Sequence, residues 1–180
     1  MRSTLLGCSL ACLPALAACN PTNSLTGPLS FVVQNAATVL VDDGGSGVPD
    51  EAHIYIWGDV DGGGEPATVC NEVTPTGPIS SAIVTNLVAL NLGGTPGGLT
   101  TGNYTIGADG GPNSAVMIVS LGNNGDQPEA VWYGTSGTVT LSSISPAMLV
   151  GNFQAKLAPL GGNPDGGSLS GSFATVPCTP

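Results

Sequence analysis

From Leu29 onward apolar residues return at every second position, and that alternation restricts the chain to half-buried strands. Leu29, Phe31 and Val33, then Ala37, Val39 and Val41, fall on one parity, with Asn35 as a break or bulge between the two runs. Further strands are predicted at His53–Trp57, Ile83–Leu92, Asn103–Ile106, Ala115–Leu121 and Ala130–Tyr133. The segments between them, such as GGTPGG and GNNGD, are rich in residues that favour turns. No run of about ten residues carries the 3.6-residue stripe of an amphipathic helix. A short helical turn near Pro75–Ser81 is compatible with the pattern.

The C-terminal third predicts three strands, Thr138–Ile144, Leu149–Leu157 and Ser168–Val176, joined by short turns as an antiparallel meander. Within it Leu149-Val150-Gly151-Asn152-Phe153 recurs as Leu169-Ser170-Gly171-Ser172-Phe173. Leu, Gly and Phe at i, i+2 and i+4 share a face that should be buried. Asn152, Gln154 and Lys156, and Ser168, Ser170 and Ser172, share the wet one. Each glycine leaves room for a large side chain, expected to be an aromatic from a facing sheet.

In 180 residues there is room for a single modest domain. Hydrophobic residues make up 41% and charged ones 8%, so the chain has apolar surface to bury and little self-repulsion, which argues against disorder. Twelve acids against only Arg2 and Lys156 leave no basic footprint for a phosphate backbone, which excludes nucleic acid as a partner. The expected fold is all-β, an antiparallel two-sheet β-sandwich of about eight or nine strands with a C-terminal β-meander and little or no helix.

The first residues, MRSTLLGCSLACLPALAAC, carry one cation and then an uncharged run rich in Leu and Ala, as a secretory signal peptide does. Pro14 interrupts the run, which is shorter than the ~20 residues of a membrane-spanning helix. It ends in Leu16-Ala17-Ala18-Cys19, and here the sequence resembles bacterial lipoproteins, whose lipobox places Leu, a small residue and Gly or Ala before a Cys. The resemblance implies removal of residues 1–18 and acylation of Cys19. Asn20 after the lipidated position, in place of Asp, implies sorting to the outer membrane of a Gram-negative host; either face of it remains open. Residues 19–28 then read as lipidated Cys and polar tether, and 29–180 as the domain. After processing Lys156 is the only basic side chain, so attachment must come from acyl chains rather than a basic patch.

Cys8 and Cys12 leave with the signal peptide and Cys19 is consumed by lipid, so Cys70 and Cys178 remain. In an oxidising compartment the two read as one disulfide, constraining the unfolded chain by ~4–5 kcal/mol. Two free thiols serving as metal ligands or as a nucleophile are the alternative; neither Cys has a neighbouring His.

Across its length the chain also resembles a loose group of uncharacterised β-rich lipoproteins of high-GC Gram-negative bacteria. The likeness rests on Asn35–Ala37, HIYIWGD followed by Cys70, Gly102–Ile106, and SGTVTL leading to GSLSGSF and Cys178. It implies a fold and carries no activity.

No nucleophile elbow, phosphate-binding Gly loop, dinucleotide turn or zinc-protease helix motif occurs, and a Ser–His–Asp centre would have to use His53, the one His. Two features point to binding instead. Asp42, Asp43, Asp50 and Glu51 fall in one Gly-rich segment and Asp59, Asp61 and Glu65 in the next, offering hard oxygen ligands of the kind Ca²⁺ takes; the second run departs from an EF-hand loop at Gly63 and Cys70. The alternative is a solvated acidic surface. His53, Tyr55 and Trp57 share a parity opposite Ala52, Ile54 and Ile56, so an outward row of rings could stack on sugar faces, unless the strand is buried on both sides. The reading that follows is a non-enzymatic, lipid-anchored outer-membrane protein with a structural or interaction role, its partner a protein or polysaccharide and no cofactor required. The alternative is a carbohydrate-binding module assisted by Ca²⁺.

Overall fold

The computed structural model describes residues 23–42, 45–58, 86–95, 97–107, 111–122, 129–161 and 165–178. These hold nine strands and no helix: β1 (Ser24–Thr26), β2 (Asn35–Val41), β3 (Glu51–Trp57), β4 (Asn86–Gly93), β5 (Gly102–Ile106), β6 (Ser114–Leu121), β7 (Ala130–Ile144), β8 (Leu149–Pro159) and β9 (Gly167–Pro177). Pairing runs β9-β2-β3-β4-β6-β7-β8 and returns to β9, so one sheet closes in a ring. β5 is spliced between β6 and the second half of β7, and β1 lines β9 beside its contact with β2. All neighbours are antiparallel except β2 with β9 and β5 with β6.

The all-β expectation therefore holds, with nine strands. The two-sheet antiparallel sandwich is not confirmed: hydrogen bonding is continuous around the ring, and the sheet is mixed. Closure leaves few free strand edges to be covered. The predicted meander is present as β7-β8-β9, paired in antiparallel register throughout. Ala130–Tyr133 and Thr138–Ile144 are one strand, bent by register shifts at Gly134/Ser136 and Leu141/Ser143. The first bulge lets β7 leave β6 for β5, and a Cβ on Gly134 would lie 2.6 Å from Ile106 Cγ2. The turn expected near Pro75–Ser81, and the first residues of the strand expected at Ile83–Leu92, lie outside the described residues.

Alternation sends one row of each strand into the ring. Ala52, Ile54 and Ile56 from β3, Val88, Leu90 and Leu92 from β4, and Ala115, Met117 and Val119 from β6 meet Trp132, Val139 and Leu141 of β7 in one apolar core. The two runs that share a parity in sequence do not share a face, because parity changes at the break at Asn35. Leu29, Phe31 and Val33 pack on that core, but beyond the break Ala36 and Thr38 are the buried inward residues, while Ala37 and Val39 join a separate cluster outside. Residues 30–34 are not in strand, so nothing forces the period to carry through them. Segment 19–28, expected to be a tether, holds β1, whose Ser24 pairs with Ser172.

The repeated pentapeptide forms a reciprocal lock. In register Gly151 faces Phe173 and Phe153 faces Gly171. A Cβ on Gly151 would lie 2.5 Å from Phe173 Cζ, and one on Gly171 would lie 2.8 Å from Phe153 Cε1. Each ring thus covers the glycine of the neighbouring strand, and the expected aromatic comes from the other copy of the repeat rather than from a facing sheet. Both phenylalanines are buried. Phe173→Ala should cost about 3–5 kcal/mol and Gly151→Ala about 1–3 kcal/mol in urea unfolding. The double variant Gly151→Ala/Phe173→Leu should be more stable than the sum of its singles predicts, because the smaller side chain vacates part of the space the methyl needs.

Candidate functional site

Two neighbouring regions of the surface hold the described residues singled out above, and β3 links them. Its sequence EAHIYIW is apolar at both parities from Ile54 onward, so both faces of the strand prefer burial. Ile54 and Ile56 enter the ring, while His53, Tyr55 and Trp57 point outward. The outward rings are not in solvent. Tyr55 is 3% exposed and Trp57 0%, packed with Ala37, Val39, Leu87, Ala89 and Cys178 in a second apolar cluster on the outer face of β2, β3 and β4. The expectation of a ring platform for sugar stacking is corrected accordingly: this strand is buried on both sides. Burial raises the Tyr55 phenol above its ordinary pKa by desolvation. Trp57 Nε1 is buried with no hydrogen-bond partner, the one such side-chain atom among the described residues, a cost the packing of the indole must offset.

His53 stands at the rim of that cluster. Its Nε2 lies 3.4 Å from Glu51 Oε2, two residues back on the same face, and neither side chain is fully buried. The neighbouring acids separate by task. Asp42 closes its own loop: Ser46 N donates to Oδ1 at 3.0 Å and Gly47 N to Oδ2 at 2.5 Å. Those backbone donors, Gly47 first, hold its pKa below the ordinary carboxylate value. Gly45 and Gly47 have positive φ, which is what lets the loop turn its amides onto one carboxylate. Asp50 and Glu51 instead line a cleft of about 360 Å³ with Gly93, Gly94, Thr95, Gly111 and Pro112. The Asp50 main chain is bound on both sides, its N–H donating to Val41 O at 2.9 Å and its carbonyl accepting from Gly94 N at 2.7 Å.

So the structure brings Asp50 and Glu51 to one cleft and turns Asp42 into its own loop. Asp43, Asp59, Asp61, Glu65, Cys19 and Cys70 lie outside the described residues. Among the described residues no three His, Cys, Asp or Glu side chains gather as a metal would require. Cys178 is disulfide-bonded.

A second cleft, about 290 Å³, opens on the outer face of β7, β8 and β9 and is lined by Ser136, Thr138, Gln154, Lys156 and Ser168. It holds Lys156, the one Lys or Arg among the described residues, among hydroxyls and an amide. The sequence had placed Gln154, Lys156 and Ser168 on the wet face, and they are there.

A third region was missed. Around the ring, the outward positions Ala37, Tyr55, Ala89, Ile118, Tyr133 and Ala158 stand in one cross-strand row from β2 to β8. Its first members are buried in the second cluster, whereas Ile118 is 41% and Tyr133 45% exposed, with Val116 at 44% nearby on β6. Strand β6 is apolar on both parities, SAVMIVSL, which is the signal the sequence offered and reads as burial on both faces, yet its outer residues Val116 and Ile118 are exposed. Tyr104 was passed over too. Its hydroxyl donates to Thr100 O at 2.7 Å and accepts from Thr100 N at 3.1 Å, pinning the connection into β5. Compared with protein families, with curated proteins and with solved structures, the chain matches none.

Trp57→Ala should lower stability by about 3–5 kcal/mol and reduce the thermal midpoint by several degrees, as a core truncation does. An unchanged midpoint would return the ring to the surface. Asp42 has a folded pKa below the unfolded 3.8, so its contribution is fully present above 3.8 and disappears as pH falls through the lowered folded value. Urea titrations of Asp42→Ala should therefore show a shallower loss of stability than the parent in that acid window, and the same slope near neutrality.

Proposed function

We propose that this is a lipid-anchored outer-membrane protein, held by an acylated Cys19, whose β-ring presents a surface for another protein. Support for the anchor is the Leu16–Cys19 motif behind a signal-peptide-like start. The observation that carries the interaction role is the outward row that passes from buried Tyr55 and Ala89 to exposed Ile118 and Tyr133, with Val116 beside it. An exposed β-branched pair beside a tyrosine is the composition of a contact surface, where an aromatic supplies apolar area and a hydroxyl together. The interior of the ring is filled by the side chains of its own strands, so the outer surface is where recognition has to occur.

Cys178 belongs to the second cluster, and its proposed partner is Cys70, in the connection between β3 and β4. That bond would fasten this connection to the outer face of β2, β3 and β4. His53 meets Glu51 at the rim of a packed cluster, and no catalytic role is proposed for the pair. The carbohydrate alternative required solvent-facing Tyr55 and Trp57, and their burial removes its motive.

The test runs in intact cells. An alkyne fatty acid should label the wild type and not Cys19→Ala, which should also leave the envelope. A photoreactive residue at position 133 should give discrete adducts where one at Asn152, on the exposed face of β8, gives none. Equal labelling of wild type and Cys19→Ala would refute the anchor; absence of adducts at 133 would refute the contact surface.

A further inference from the structure

We propose that the end of the β8–β9 pair rests on the lipid surface that holds Cys19, which fixes the side of the ring turned to the membrane. The inference depends on the anchor reading above and specifies what the anchored domain touches.

Its starting point is how soon the chain joins the fold. Asn23 is only four residues beyond Cys19. Its side-chain Oδ1 accepts the Ala174 amide of β9 at 2.7 Å, and Ser24 is already paired with Ser172. Four extended residues span at most about 14 Å. A lipidated Cys19 therefore places the bilayer surface within that distance of Asn23, and the ring has no freedom to stand away from it.

What lies within reach is apolar. Val176 follows Ala174 by two residues on the same outward parity, a step of about 7 Å along the strand. It is 63% exposed. Ala174 pairs with Val150 of β8, and Leu149 pairs with Thr175, so Met148 and Val176 each come one position beyond the last pair, at the same end of the β8–β9 ladder. Met148 is 38% exposed, in a turn closed by Ser145, whose hydroxyl donates to the Met148 carbonyl at 3.0 Å. Met148, Val150, Ala174 and Val176 thus form one outward patch beside the point where the chain leads to Cys19.

Charge points the same way. The chain is strongly acidic, which opposes approach to anionic head groups. The pairs next to the patch, Asn152↔Ser172 and Ser143↔Val150, carry no charge. This side can therefore approach lipid without the repulsion an acidic face would meet. A few exposed apolar side chains would not bind a membrane alone, but beside a covalent anchor they need only orient the domain.

The experiment uses the full lipidated protein in phosphatidylcholine vesicles containing a chain-nitroxide lipid. Met148→Cys, Val176→Cys and, as the opposed control on β6, Val116→Cys each carry an environment-sensitive fluorophore. Quenching should be several-fold stronger at 148 and 176 than at 116, which lies across the ring from β9. Using two positions guards against a local fault in either. Equal quenching at all three on acylated protein would overturn the docking and leave the anchor intact. Protein that carries no acyl chain and does not float with vesicles would overturn both.

Discussion

The fold depends on a polar seam at the point of closure. β9 is already paired with β8 along its length, and the ring closes only where Ala37 and Thr38 of β2 meet Val176 and Pro177 in parallel. At this short contact two wholly buried hydroxyls, Thr38 and Thr175, hydrogen-bond each other inside an apolar interior, and Thr175 also donates to Leu149 O at 3.4 Å. Cys178 N donates to Thr38 O at 2.6 Å and extends the seam by one more bond. A buried hydroxyl without a partner costs about 1–3 kcal/mol, so a slip of one residue would be opposed by unpaired groups as well as by misplaced side chains. The seam thus selects a register, and the register determines every cross-strand row around the ring.

The Gly–Phe lock serves the same end on the other edge of β9. Phe153 and Phe173 interdigitate over Gly171 and Gly151 in a way that only one pairing of β8 with β9 permits. β9 is therefore indexed on both sides, by aromatic packing against β8 and by hydroxyl pairing against β2. Strand β1 adds to this. Its ladder to Ser170–Ser172 holds the first described residues to the strand that closes the fold. If Cys19 is acylated, the membrane attachment acts directly on this indexed strand rather than through a long flexible leader.

Much of the fold was legible because the signal behind it is local. A strand half in water alternates, and the β7-β8-β9 meander alternates cleanly, with Leu149, Gly151, Phe153, Ala155 and Leu157 inward and Asn152, Gln154 and Lys156 outward. Reading failed where a strand is apolar on both sides. β3 and β6 have similar composition, yet the outer residues of β3 are buried and those of β6 are exposed. Alternation reports that a face is apolar and cannot report what covers it. The acidic loop failed for a related reason: four carboxylates among glycines look alike as ligands in sequence, but the backbone turns the Ser46 and Gly47 amides onto Asp42 and leaves Asp50 and Glu51 to a cleft.

The amino-acid sequence by itself determined the class of structure, the parity of the meander, the repeated Leu-x-Gly-x-Phe unit and the balance of charge. Each of these depends on residues adjacent in the chain or on totals over it. Tertiary structure decided that the strands close in a ring, that Phe173 covers Gly151, that Tyr55 and Trp57 are packed away while Ile118 and Tyr133 are open, and that Leu149 pairs with Thr175 at the end of the β8–β9 ladder. All of these are relations between positions far apart in sequence. Pairing of β9 with both β8 and β2 is what brings them together, since one closing register sets the neighbours of every strand at once.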